Sequence, residues 1–356
     1  TSLHRSSLFP TVVMIEPAVA RISNVLCLVP KAYRNWHDWR MCVSASARAR
    51  QKQQYRSLSS VPVPLHEQTP LTEAYHGFLQ QIKRHGEGSI TLNVVPENHG
   101  KVLDIHIDNP SKRNCLSGHM IFQLMTIIDS LSKNEQYSNA MAVMLRGTGS
   151  DCTDPNLTPA FCAGLDFSLA KEVVTTSDQG FMMCSMMTDA LNRLRNLNMI
   201  SVALLHGPAL GGGAELATSC DFRLMTDCTT SKVGFVHGML AASPGWGGGR
   251  RLVQIVGRRQ ALRLLGTAQV LNAQEALAAD LVDAVLTLPS TESSCLEQGL
   301  TFLQPFTRMP YPGTVKDLKG LVAGLSDTPG GGVQLEQQVF RRRWGSEENK
   351  AALSRK

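Results

Sequence analysis

The chain lacks any uncharged apolar run of the roughly eighteen residues that a membrane-spanning helix needs. Its most apolar early stretch, Thr11 to Pro30, is interrupted by Glu16 and Arg21, so no membrane span is expected and the chain reads as soluble. Paired cysteines are also missing. The nine cysteines, at 27, 42, 115, 152, 162, 184, 220, 228 and 295, form no C-x-x-C. An odd, scattered set in a long chain suits reduced thiols better than a disulfide framework or a zinc site, and the expectation is an intracellular, metal-free protein. Net charge is scarce in the body of the chain. Residues 1 to 60 hold nine basic residues against Glu16 and Asp38, which leaves 26 basic and 27 acidic residues elsewhere. The overall +6 therefore belongs to the leader, and strong nucleic-acid binding by the body is disfavoured. What is present, 356 residues of which 43% are hydrophobic and 18% charged, excludes a disordered or collagen-like chain and supports an enzyme-sized core.

Residues 1–60 are rich in Arg and Ser and poor in acid, the composition of an organellar transit peptide; the alternative is a leader with no targeting role. Residues 61–88 read as a linker carrying Pro62, Pro64 and Pro70, followed by a short helix at Glu73 to Arg84. From Ser89 the runs SITLNVV and KVLDIHID flank the turn Asn98-His99-Gly100, which predicts a hairpin. Ile121, Leu124, Met125, Ile128 and Leu131 recur at helical spacing, as do Met183, Met186, Met187, Ala190, Leu191, Leu194 and Leu197. Methionines so spaced are core packing far more often than a ligand surface. Strands are predicted at Met141 to Leu145, Ile200 to Leu205, Phe222 to Met225, Val233 to Phe235 and Val282 to Leu286. Further helices are predicted near Arg250 to Val256, Arg259 to Leu265 and Ala273 to Ala279. Strand and helix alternate, so residues 89–290 form an α/β core, and residues 291–356 read as a helical C-terminal subdomain divided by prolines and glycines.

The most informative stretch is His206-Gly-Pro-Ala-Leu-Gly-Gly-Gly-Ala-Glu-Leu-Ala217, which follows an apolar strand and opens a helix. Its three consecutive glycines, 211 to 213, permit unusual backbone angles and bare the first N–H groups of that helix, which attract negative charge. Tight helix-on-sheet packing is the bland alternative. It is not a phosphate-binding Walker loop, since no Gly-Lys-Ser/Thr follows, and the G-x-G-x-x-G spacing is not met. A second glycine turn, Phe161-Cys-Ala-Gly-Leu-Asp166, lies upstream.

Together with Cys220-Asp-Phe-Arg223 and Pro244-Gly-Trp-Gly-Gly248, these segments resemble, in order and spacing, the crotonase superfamily of enoyl-CoA hydratases and isomerases, over roughly residues 89 to 290. The resemblance implies a ClpP/crotonase-like spiral of β-β-α turns, trimers or paired trimers, and an acyl-coenzyme A thioester as ligand. The family's two oxyanion-hole N–H groups fall on Leu165 and Gly212. Two such donors aimed at a thioester oxygen stabilise an enolate, and losing one typically costs roughly 3 to 4 kcal/mol of transition-state stabilisation. Ala163, Gly164 and Gly211 would flank the bound thioester.

Hydratases of the family use two glutamates, a base for the water and an acid for the carbon. Glu215 matches the first; counting back from Pro244, the second position is His237, so the carboxylate pair is broken. A histidine can carry a proton either way. Decarboxylation asks for less, because the departing carboxylate leaves its bonding electrons behind and a single acid then protonates the carbon. Met199 to Thr226, Phe235-Val-His237 and Trp246-Gly-Gly248 with Arg251-Leu-Val253 are most similar to decarboxylating members. That similarity implies loss of CO2 from ethylmalonyl-CoA, less readily methylmalonyl-CoA, in metabolite repair, with no cofactor. Glu215 is expected either to be proton-bearing through burial or to face the carbon that is protonated. Asp166 reads foremost as a helix cap, Lys112 as a candidate for the coenzyme A phosphates, and Trp246 as pocket wall or packing. The alternatives are a hydratase or isomerase of the same fold, and a non-catalytic acyl-CoA- or RNA-binding protein. The cytosol follows from the resemblance; mitochondria would follow from the leader.

Overall fold

The computed structural model describes residues 73–95, 101–149, 160–287, 294–327 and 332–354. The basic leader, the turn at Asn98 to Gly100 and the loop from Ser150 to Thr158 lie outside the described residues. The chain enters through helix α1 (Glu73–Arg84) into strands β1 (Ser89–Val94) and β2 (Val102–Asp108), which pair antiparallel with Ile90 opposite Ile107. Helix α2 (Gly118–Lys133) follows, capped by Ser117, whose hydroxyl accepts from the Met120 N–H. Then come β3 (Ala142–Gly147), α3 (Phe167–Glu172), α4 (Ser177–Arg195), β4 (Ile200–Leu205), β5 (Ala209–Leu210) and α5 (Gly212–Ala217). After these lie β6 (Phe222–Thr226), β7 (Val233–Gly234), a 3-10 turn at Val236–Leu240, α6 (Gly248–Thr267), β8 (Val270–Leu271), α7 (Ala273–Ala278) and β9 (Ala284–Leu286). Four helices close the chain: α8 (Ser294–Thr307), α9 (Pro312–Asp327), α10 (Gly332–Arg343) and α11 (Glu347–Leu353).

The strands form two layers. One sheet of six runs β1-β2-β3-β4-β6-β9, parallel from β2 onward; the other runs β5-β7-β8. Parallel bridges Leu116–Leu165 and Cys162–Ala209 extend the smaller layer. Successive turns of the chain thus give one long strand to the first layer, one short extended segment to the second, and a helix.

Central strands are buried on both faces, as parallel sheets require. On β3, Val143 and Leu145 face the core that holds α2 and α4, while Ala142 and Met144 face the core that holds Leu303 of α8. The methionines of α4 at 183, 186 and 187 are buried core side chains. The two helices expected between Arg250 and Leu265 are present, separated at Gly257, whose φ of 75° and ψ of 162° are not helical. One boundary differs from the sequence expectation. The last strand begins at Ala284 rather than Val282, because Val282 instead turns into the core and its N–H goes to the carbonyl of Ala276.

Candidate active site

The two glycine turns run side by side. The Cys162 N–H donates to the Pro208 carbonyl at 3.1 Å, and the Leu210 N–H returns to the Cys162 carbonyl at 3.1 Å. At Gly164, φ is 105°, and a Cβ there would lie 2.9 Å from the Leu210 carbonyl oxygen and 3.2 Å from the Gly212 nitrogen. Only glycine tolerates both the angle and the approach.

That twist redirects the next residue. The Leu116 N–H takes the Gly164 carbonyl at 2.8 Å, and the Asp166 N–H takes the Leu116 carbonyl at 3.0 Å. In a parallel ladder the residue between those two contacts directs its own N–H to the opposite edge, which here is the Leu210–Gly212 side. Gly212 opens α5, so its N–H has no helical acceptor. Among the described residues, neither Leu165 nor Gly212 donates its N–H to a backbone or side-chain partner. Two free amides therefore flank Gly164.

Glu215 sits one turn into α5 and is 1% exposed. Its Oε2 accepts from the Trp246 and Gly248 N–H groups, both at 2.8 Å, and its Oε1 from the Gly245 N–H at 3.1 Å. His237 Nε2 lies 3.0 Å from the same Oε1. Three main-chain N–H donors and the His237 ring nitrogen thus surround the two carboxyl oxygens. The carboxylate is oriented by the 245–248 loop and by His237. His237 arrives there because β7 pairs with β5, Gly234 opposite Leu210, and the 3-10 turn then carries its ring to within 4.0 Å of where a Gly211 Cβ would stand. Trp246, 6% exposed, lays its benzo ring over Gly212; a Cβ on Gly212 would come within 2.4 Å of that ring. Of the two expectations for Trp246, packing is the one the structure displays.

The remaining expected residues sit at the edge. Asp166 caps α3, its Oδ1 accepting from the Ser168 N–H at 2.9 Å, and its Oδ2 pairs with Lys112 Nζ at 2.7 Å. The capping reading of Asp166 is thus the structural one, and Lys112, half-exposed, is tied to the same carboxylate. Ala163 is held by its N–H on the Arg113 carbonyl at 3.1 Å. Two cavities of about 470 and 460 Å3 lie away from this constellation: one is lined by Val256, Gln260 and Arg263, the other by Leu131, Arg193 and Lys316.

Sequence reasoning quoted Arg251 within the resemblance but gave it no role; it is fully buried and donates from Nη2 to the carbonyls of Glu215 at 3.0 Å and Trp246 at 2.8 Å. A signal existed. Arg251 falls three residues after Gly248, hence on the helix face that Gly248 turns toward Glu215. Sequence reasoning likewise gave no role to Cys184 and Thr188 of α4, which meet the 245–248 loop; the Thr188 hydroxyl donates to the Gly245 carbonyl at 3.2 Å.

Paired glycine turns on a two-layer spiral with a helical C-terminal region define the crotonase fold, and the chain belongs to the enoyl-CoA hydratase/isomerase family, whose model matches residues 97–350. It is 37% identical over 287 residues to ethylmalonyl-CoA decarboxylase of Bos taurus, covering 79% of this chain and 87% of that one. It is 32% identical to ethylmalonyl-CoA decarboxylase of Xenopus laevis over 295 residues, 82% and 92% of the two chains. Among solved structures it resembles the enoyl-CoA hydratase of Bacillus anthracis, with a TM-score of 0.63 at 25% identity, over 74% of this chain and 94% of that one.

Proposed function

We infer that this chain is an acyl-CoA carboxy-lyase acting on a short branched malonyl-CoA thioester, ethylmalonyl-CoA first and methylmalonyl-CoA less readily. The bond between the α-carbon and the free carboxylate breaks, and its electron pair moves into the thioester carbonyl. CO2 leaves, and the enolate oxygen rests on the Leu165 and Gly212 N–H groups. One proton then adds to the α-carbon, giving butanoyl-CoA or propanoyl-CoA. His237, held on Glu215, is the proton carrier in this reading. Because the thioester itself takes up the electrons, no metal, biotin or thiamine is needed. Trp246, Ala163, Gly164 and Gly211 line the acyl end, and Lys112 with Asp166 lies toward the coenzyme A end. The role is metabolite repair in the cytosol, carried out by a trimer or pair of trimers.

The observation that carries this reading is the pairing of two unspent amides across Gly164 with a single carboxylate whose partner is a histidine. Water addition calls for a base and an acid on two groups, whereas loss of CO2 calls for an electron sink and one proton. The decarboxylase relatives support the same choice. Incubating the full-length protein with ethylmalonyl-CoA and, separately, with crotonyl-CoA tests it. The expected result is CO2 from the first and no hydration of the second, with Glu215→Gln lowering the rate by about a hundredfold. Hydration of crotonyl-CoA without CO2 release overturns the lyase in favour of a hydratase. Binding of both thioesters with no turnover favours a non-catalytic acyl-CoA protein.

A further inference from the structure

Arg251 is 0% exposed, yet Nε and Nη1 have no hydrogen-bond partner and only Nη2 is used. Burying a guanidinium with donors unspent is costly, so its place needs a compensating interaction. Its one engaged nitrogen bridges two carbonyls, those of Glu215 and Trp246. These belong to the two segments that meet at the Glu215 carboxylate: α5 carries the side chain, and the loop at 245–248 supplies the three N–H groups that hold it. The opposite charge that most favours the charged guanidinium is also Glu215, while burial pushes the Arg251 pKa down to about 10.

The geometry points to Arg251 as a positioning residue that clamps α5 to the 245–248 loop and so fixes the Glu215 carboxylate on His237 Nε2. This rests on the reading of Glu215 and His237 as reaction machinery, and it adds a residue that touches neither substrate nor reacting atoms. The titratable groups around the clamp are His237 on the 3-10 turn, Cys184 on α4, Arg250 beside Arg251 on α6, and Arg195 and Cys220 from the elements behind it. None of these bridges the same two carbonyls.

The test compares Arg251→Met and Arg251→Lys with the unaltered full chain, using the rate of CO2 release and proton NMR of the imidazoles. A His237 Nε2–H held on Glu215 gives an exchange-protected downfield resonance, identified by its loss in Glu215→Gln. In folded Arg251→Met that resonance is expected to disappear, and kcat to fall about tenfold or more with KM within about twofold. Arg251→Lys, which keeps the charge and loses the fork, is expected to weaken the resonance and leave kcat between the two. A purely stabilising role would lower Tm and leave the resonance intact. The inference is overturned if the resonance and kcat persist in folded Arg251→Met. It is equally overturned if both stay at unaltered values in Arg251→Lys, the decisive variant should the methionine form not fold, or if the unaltered chain shows no such resonance. Loss of the resonance in Glu215→Gln and Arg251→Met, with no CO2 released even by the unaltered chain, sinks the proposed reaction and leaves the clamp standing.

Discussion

Gly164 brings the two amides together by having no side chain. An alanine there meets the Leu210 carbonyl and the Gly212 nitrogen and must also hold φ near 105°. The backbone strain alone costs about 1 to 2 kcal/mol, which a chain with this much buried core can absorb. The larger consequence falls on the site, since relief comes from pushing the two turns apart. Gly164→Ala is therefore expected to fold, judged by circular dichroism, and to lose about 10²- to 10³-fold in kcat, the usual loss for one displaced donor. Full activity in a folded Gly164→Ala chain counts against the amide pair. His206, at the strand end of the other glycine turn, supplies a pH dependence. It is fully buried, with Nδ1 3.2 Å from the Leu204 carbonyl and no partner on Nε2. Burial pushes its pKa from 6.5 down to about 4. The unfolded chain takes up a proton near pH 6.5 while the folded chain refuses it until about pH 4. The stabilising contribution is thus complete above pH 6.5 and drains away as pH falls toward 4. Going from pH 7 to pH 5 should cost the unaltered protein about 2 kcal/mol more than His206→Gln, read from urea unfolding at the two pH values. Equal pH dependence of the two proteins removes His206 as the cause.

At the scale of elements, legibility in the sequence followed length and period. β4 shows as one continuous apolar run and α4 is long enough for a 3.6-residue stripe, and the run and the stripe at 183, 186, 187, 190, 191 and 194 are what the structure buries. The two-residue strands β5, β7 and β8 carry no period; of these only β7 was anticipated, through Val233 to Phe235. Helix α3 was anticipated only through Asp166 as its cap, because Phe167 to Glu172 spans less than two turns and its Phe167 is exposed. The break at Gly257 was legible as two helices because the apolar stripe slips there. At the site, glycines and Glu215 could be named from residue type and spacing, since backbone approach and a lone carboxylate both leave a mark in sequence. What holds Glu215 could not. Its partners are main-chain N–H groups at 245, 246 and 248, and every residue but proline carries one. Arg250 and Arg251 are adjacent and chemically identical, and only the helix phase sends Arg251 into the interior.

The whole molecule separates what holds it together from what reacts. The glycine turns, Glu215 and His237 belong to the small second layer and the elements hung on it, packed into the core shared with α2 and α4. The opposite face of the large sheet is covered by the C-terminal helices. Leu303 of α8 lies fully buried there in one cluster with Met144, Val202, Leu204 and Leu224, and Phe222 meets the ring of Phe302 edge-on at 5.2 Å. Lys319 of α9 reaches back to Asp221, which also receives the Ser201 N–H, so this face is tied by charge as well as by apolar contact. The hydrophobic residues of the candidate site, Trp246 and Leu165, belong to the other core cluster. Leu303→Ala opens a hole in a fully buried position and is expected to cost about 3 kcal/mol, read as a lower Tm and urea midpoint. The strands between the hole and the site are buried on both sides, and the site's own hydrogen bonds lie in the other layer. CO2 release per folded molecule, measured well below the lowered Tm, is then expected to match that of the unaltered chain. A fall in kcat at full fold content would mean that the C-terminal helices reach through the sheet to set the glycine turns, and that stability and reaction share one core.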